Sequence, residues 1–178
     1  MRRSLQLSSL PSMNLARYLK PAQIKVQLAT RPTDPPEGAS VEKHRWDLKE
    51  AALSELCDLL DSSGKSGNKS KLLTDLVNRE RKSSTAVGMG VAIPHVRTMQ
   101  AKELILAFAR APEGLDFEAP DGDPVKLFFA MVAPPYDDKT YLSIYKEIGS
   151  LILREDSRQR LLDAKNEHEI IRVFQTLE

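Results

Sequence analysis

The spacing of apolar and polar positions changes along the chain, and each change marks a new element. Ile24-Lys25-Val26-Gln27-Leu28 alternates, as a strand with one buried face does. Pro32, Pro35, Pro36 and Gly38 then predict a loop from Arg31 to Ser40. From Asp47 the apolar positions Leu48, Ala52, Leu56, Leu59 and Leu60 share one helical face, which ends at Ser62-Ser63-Gly64. A polar linker runs from Gly64 to Ser70, and Leu72, Leu73, Leu76 and Val77 mark a second, shorter helix.

The middle of the chain reads as strands. Val91-Ala92-Ile93 stops at Pro94, and Leu104 to Phe108 and Val125 to Val132 are longer runs. The unbroken apolarity of the last predicts a strand buried on both faces. Pro120-Asp121-Gly122-Asp123 is a turn signal between them. Behind Asp137 and Asp138, the positions Tyr141, Ile144, Tyr145, Ile148, Leu151 and Ile152 form a helical stripe. Asp156 with Gln159, and Asn166 with Glu169, have capping-box spacing for two further helices. Helices before and after a group of strands bury those strands best from both sides. The predicted class is therefore α/β, a three-layer α/β/α sandwich on a mixed sheet. Residues 1–20 are expected to be a poorly ordered arm and residues 21–178 one domain.

Composition narrows the function. With 26 basic and 25 acidic residues the net charge is +1, which is no electrostatic footprint for nucleic acid. No run approaches the ~18 apolar residues of a membrane span. The segment before Asp34 has basic but no acidic residues, a bias shared with transit peptides, although polar interruptions argue against a secretory signal. A frayed N-terminal arm is the simpler expectation, and a cytoplasmic location with it. The single cysteine, Cys57, excludes a disulfide within the chain and a thiolate metal cluster; on its apolar helix it is expected to be packed. His44, His95 and His168 have no ligand spacing, and Asp121 and Asp123 are too few carboxylates for a metal. Neither metal nor cofactor is expected.

The candidate chemistry lies between Arg79 and His95. This stretch runs from a helix end through a Ser/Thr/Gly loop into a short strand that delivers a histidine after a proline. An imidazole with an ordinary pKa of about 6.5 is largely neutral at physiological pH and can attack phosphorus through nitrogen. Arg79, Arg81 or Arg97 could stabilise the charge of a phosphoryl group, and the backbone N–H groups of Gly88 to Gly90 could donate to it. From the residues alone, a histidine that merely ends a structural strand is an equally good reading.

Ser84-Thr85-Ala86-Val87-Gly88-Met89-Gly90-Val91-Ala92-Ile93-Pro94-His95 resembles the signature of the fructose/mannitol-type enzyme IIA domains of the bacterial phosphotransferase system, a group that includes the nitrogen-regulatory IIA proteins. The likeness extends from about Ile24 to the C-terminus. It implies a three-layer α/β/α fold, phosphorylation of His95, and a charge-neutralising role for Arg79, sixteen positions earlier. Thr85, Gly88, Gly90 and Arg97 are expected as binding residues. The sequence departs from the pattern at three positions. Met89 stands where the family often has Asn between two glycines, Val96 follows the histidine in place of a small residue, and Tyr141 occupies the position of the family's second histidine. A phenol can donate a hydrogen bond but does not titrate near neutrality.

The resemblance implies a phosphoryl carrier that is loaded on His95 by a phosphohistidine carrier protein and serves regulation rather than sugar uptake. Its downstream partner would be a regulated protein or a IIB domain. The alternative is a phosphorylation-poor module of the same fold, which regulates a partner through the same surface.

Overall fold

The computed structural model describes residues 13–176. A mixed sheet carries two helices on one face and three on the other. In chain order the elements are β1 (Ile24–Lys25), α1 (Val41–Asp61), α2 (Lys69–Lys82), β2 (Ala86–Gly88), β3 (Val91–Ala92), β4 (His95–Arg97), β5 (Ile105–Leu115), β6 (Val125–Ala133), α3 (Asp138–Ile152), α4 (Glu155–Asp163) and α5 (Glu167–Gln175). The three-layer α/β/α class read from the sequence is the class observed.

The long antiparallel pair β5–β6 forms the centre, with Ile105 opposite Val132 and Arg110 opposite Leu127. The short strand β1 adds to the free edge of β5 in parallel. On the other side β6 is flanked by two short parallel strands in succession, β3 and then β4. Strand β2 pairs antiparallel with β3 at the outer edge.

Side chains of β5 and β6 alternate between the two helical layers, as the two-residue period of a strand requires. Ile105, Ala107, Ala109, Phe128, Ala130 and Val132 face the layer of α1 and α2. Leu106, Phe108, Leu127, Phe129, Met131 and Ala133 face α3 to α5. The alanines leave room for α1, which buries Leu53, Leu56, Cys57 and Leu60 completely. On the opposite face Phe108 meets Phe129 and Phe174 edge to face, with ring centroids 5.1 and 5.6 Å away. Burying each of these rings contributes about 1.5–3 kcal/mol. Arg110 also points into this layer, where it donates to the carbonyls of Val26, Leu161 and Leu162. It thereby satisfies carbonyls at the C-terminal end of α4.

Four sequence expectations are corrected here. Helix α1 begins at Val41 rather than Asp47, because Ser40 caps it by accepting from the Lys43 N–H and its first turns are polar and exposed. Asp156 does not cap α4, whose N-cap is Arg154 without a side-chain bond; Asn166 does cap α5, accepting from Glu169 N at 2.9 Å. Strand β5 continues past Phe108 to Leu115, carried through Arg110 by the bonds just described. Residues 13–20 are packed rather than poorly ordered: Leu15 and Leu19 are buried against the α3–α5 layer. The rest of the expected arm, and any targeting segment in it, lies outside the described residues. Among the described residues no helix is long and apolar enough to cross a membrane.

Candidate functional site

Pro94 has no N–H and interrupts the edge of the sheet between β3 and β4. His95 is therefore the first residue of a new strand, with Met131 of β6 opposite it. It does not hang from a strand end; the backbone is paired on both sides of the proline. The ring is half-buried. Its Nδ1 lies 2.6 Å from the carbonyl oxygen of Ile93. A carbonyl can only accept, so Nδ1 carries the proton and donates, and in the neutral ring the lone pair sits on Nε2. Burial lowers the pKa of His95 from the ordinary imidazole value, and the charge of Arg79 lowers it further. The bond to Ile93 and the charge of Glu80 oppose this without cancelling it. Neutral, nucleophilic imidazole is the form favoured near pH 7.

Helix α3 covers the ring. Asp137 caps the helix by accepting from the Thr140 N–H, and one turn on, Tyr141 and Tyr145 lie on the face towards His95. The centroid of Tyr141 is 6.1 Å from that of His95, and Tyr145 packs edge to face at 5.3 Å. Burial raises the pKa of Tyr141, so it is a neutral phenol at physiological pH. Tyr145 was legible in the sequence only as part of the apolar stripe. Its i,i+4 spacing from Tyr141 on one helix was the available signal.

Two of the three candidate arginines converge. Arg79, at the end of α2, donates to the Ser83 carbonyl at 2.9 Å, and its charge acts on both His95 and Tyr141. Arg97 lies over the Tyr141 ring at 5.2 Å and pairs with Asp138. Together with Lys71 and Lys82 they line an open groove of about 490 Å³. Arg81 points elsewhere, stacking on Trp46 at 4.6 Å and reaching Glu50. Val96 packs against the α1–α2 layer.

The glycine loop is not at this site. Gly90 leads into β3, where Val91 stands opposite Leu127, whereas His95 stands opposite Met131. Four residues of strand separate the two levels, roughly 13 Å at 3.3 Å per residue. Gly88 and Gly90 therefore form the far turn of the β2–β3 hairpin, and their N–H groups do not reach a phosphoryl group on His95. Thr85 is buried, with its N–H and hydroxyl both donated to Glu80. It supports the site from behind instead of lining it.

The departure at Met89 is consequently a matter of backbone geometry. Met89 has φ 57° between Gly88 at 91° and Gly90 at 72°, and Asp121 holds the turn by accepting the Met89 N–H. Left-handed backbone costs a residue with a Cβ about 1–2 kcal/mol, and Asn tolerates it better. Met89 is substantially exposed, so little packing is lost by replacing it. Met89→Asn is expected to raise the melting temperature by about 2–4 °C, checked by thermal unfolding.

Comparison of sequences gives one family, and comparison with solved structures gives the same fold. Residues 40–176 match the family model described as phosphoenolpyruvate-dependent sugar phosphotransferase system, EIIA 2. The chain is 35% identical to a fructose-specific EIIABC component of Bacillus subtilis over 126 residues, 71% of this chain and 20% of that protein. It is 34% identical to a fructose-specific EIIA component of Haloferax volcanii over 68% of this chain and 79% of that one. A nitrogen regulatory protein of Pseudomonas aeruginosa is 31% identical over 65% of this chain and 75% of its own length. Among solved structures, the nitrogen regulatory protein IIA-Ntr of Neisseria meningitidis shares the fold with a TM-score of 0.75, 24% identity, and 90% and 98% coverage of the two chains. The complex of enzyme IIA mannitol with phosphorylated IIB mannitol from Escherichia coli superposes at 0.66, with 17% identity and coverage of 88% and 96%. With the fold, the Pro-His pair and these matches in agreement, the chain belongs to the EIIA type 2 family of the phosphoenolpyruvate-dependent sugar phosphotransferase system.

Proposed function

We propose that this protein is a cytoplasmic phosphoryl carrier that is loaded on Nε2 of His95 by a phosphohistidine carrier protein. The observation that carries the reading is the bond from Nδ1 to the Ile93 carbonyl, which leaves the Nε2 lone pair free on a ring that feels the charge of Arg79, with Arg97 two residues on along β4. In the step, that lone pair attacks the phosphorus of the donor. The new P–Nε2 bond forms as the donor's P–N bond breaks, and its electron pair stays on the donor nitrogen, which leaves as neutral imidazole from a ring-protonated phosphohistidine. The His95 ring keeps its Nδ1 proton and becomes positive, so its bond to the Ile93 carbonyl becomes charge-assisted and stronger. Arg79 neutralises the phosphoryl oxygens, aided by Arg97 once it turns from Asp138.

The downstream partner is proposed to be a regulated protein or a IIB domain; the solved IIA mannitol complex holds a phosphorylated IIB. A regulatory role rather than sugar uptake is part of this reading; the likeness to nitrogen regulatory proteins supports it, and the likeness to fructose-specific components supports the other. The test is incubation with the phosphorylated upstream carrier, followed by intact mass and ³¹P NMR. One phosphoryl group on Nε2 is expected. No uptake would favour the alternative, a binding module of the same fold, which the engagement of Arg97 by Asp138 and Tyr141 supports.

Acidity should affect this protein in two ways. Because folding lowers the His95 pKa, the unfolded chain takes up the proton first. The resulting stability is present above about pH 6.5 and is lost as pH falls towards the folded value. Tyr141, in contrast, adds no titration near neutrality. Tyr141→His would place a protonatable ring beside the phosphoryl group. A charge-assisted bond exceeds a neutral one by about 1 kcal/mol, or several-fold in equilibrium. Equilibrium phosphorylation of the variant is expected to exceed wild type at pH 6 more than at pH 8; identical curves would leave Tyr141 a packing residue only.

A further inference from the structure

Behind His95 lies an ion pair that no phosphoryl group would touch. Lys49 of α1 is 1% exposed and Glu80 of α2 is 2% exposed. Lys49 Nζ is 2.9 Å from Glu80 Oε1 and 2.8 Å from Glu118 Oε2, with the Phe117 carbonyl at 3.4 Å. Apolar residues of similar volume often hold a fold as well as a buried pair does, so stability is weak grounds for its presence. Its geometry suggests another use. Both Glu80 oxygens accept the Thr85 N–H at 3.1 Å, and Oε2 also accepts the Thr85 hydroxyl. The Thr85 carbonyl accepts the Ile93 N–H at 3.0 Å. Ile93 offers the last backbone donor before the histidine, because Pro94 has none, and its own carbonyl accepts from Nδ1 of His95.

We propose that Glu80, neutralised by Lys49, is a positioning residue for His95: through Thr85 and Ile93 it anchors the carbonyl that keeps the proton on Nδ1 and the lone pair on Nε2. The inference deepens the carrier reading and rests on it for its consequence in transfer. The tautomer itself can be read without any transfer. Other groups act on the ring directly or pack against it: the charges of Glu80 and Arg79 from α2, and Tyr141 and Tyr145 from α3, with Arg97 further along β4 held by Asp138. Of these only the Glu80 charge is altered below, and it is lost equally in the double variant and in Glu80→Gln, so the difference between those two reads the hydrogen bonds.

The test uses the full chain with three changes. The pair Lys49→Met/Glu80→Leu replaces the charges by apolar groups. Glu80→Gln keeps an acceptor for the Thr85 N–H, and Thr85→Val removes only the hydroxyl bond. Imidazole ¹⁵N NMR above the His95 pKa reads which nitrogen is protonated, and phosphorylation by the carrier is timed separately. Wild type is expected to show the Nδ1–H form alone. The double variant is expected to gain the Nε2–H form and to be phosphorylated about 10-fold more slowly, the lower end of the loss seen when an outer hydrogen-bond partner of a metal-bound histidine is removed. Glu80→Gln should recover most of both readings. Should the double variant not fold, Thr85→Val serves in its place, with a smaller change in the same direction. An unchanged tautomer in the folded variant overturns the proposal, and so does a changed tautomer with an unchanged rate. If the tautomer responds but wild type takes up no phosphoryl group, the carrier reading fails and the anchoring of the ring survives it.

Discussion

His95→Ala is expected to take up no phosphoryl group from a phosphorylated carrier protein while remaining folded. The other two histidines are not equivalent to it. His44 Nε2 is engaged by the carbonyl and hydroxyl of Thr33, and His168 is exposed on α5, away from the groove beside His95. Tyr141 is held neutral, which makes it a poor nucleophile. What the substitution removes from the fold is modest. The bond to the Ile93 carbonyl contributes about 1 kcal/mol, and the edge contact with Tyr145 about 0.5–1.5 kcal/mol. For a chain of this length that corresponds to a fall in melting temperature of roughly 3–10 °C. Intact mass after incubation, with a test for acid-labile and base-stable phosphate, measures the outcome. Phosphate of that kind persisting in the variant would place the acceptor elsewhere.

Arg79→Gln is expected to slow phosphorylation by about 10² or more. The guanidinium acts on His95 by charge, and it lines the groove shared with Arg97. Arg97 starts out paired with Asp138, so Arg79 is the first guanidinium to meet the charge that develops on the phosphoryl oxygens. The structural role of Arg79 is small by comparison. It donates to the Ser83 carbonyl at the C-terminal end of α2, where a cation contributes about 0.3–1 kcal/mol through the helix dipole. Rapid-quench phosphorylation and thermal unfolding of the same preparation separate the two roles. A large loss of stability with an unchanged rate would make Arg79 a structural residue.

Element type was legible wherever burial imposed a period on the sequence. The stripe on α3 and the apolar run of β6 show this best, since a helix buried on one side and a strand buried on both leave patterns that few other structures produce. Boundaries were legible only where a cap or a breaker marks them. Asn166 and the Ser62-Ser63-Gly64 stop are such marks, whereas the polar first turns of α1 are exposed and leave no periodic signal. The apolar run ending at Phe108 stopped short of the strand end at Leu115 for a related reason. A cation in a strand reads as its end, yet at Arg110 three carbonyls from β1's flank and α4 satisfy it, and those partners lie far away in sequence.

By itself the sequence determined the three-layer class, the family likeness, the Pro-His pair and the arginine at the helix end. All of these depend on local spacing or on a contiguous motif. Only the tertiary structure decided which members of that motif work together. The Gly88–Gly90 turn is close to His95 in sequence but about four residues of strand away in space, because β2 and β3 form a hairpin that carries the turn to the other end of the sheet. Tyr145, Arg97 and the buried pair Lys49–Glu80 are brought to the histidine by α3, β4, α1 and α2. The proton on Nδ1 was likewise decided by the fold, since a tautomer depends on which backbone carbonyl stands opposite the ring, and no periodicity in the sequence records that.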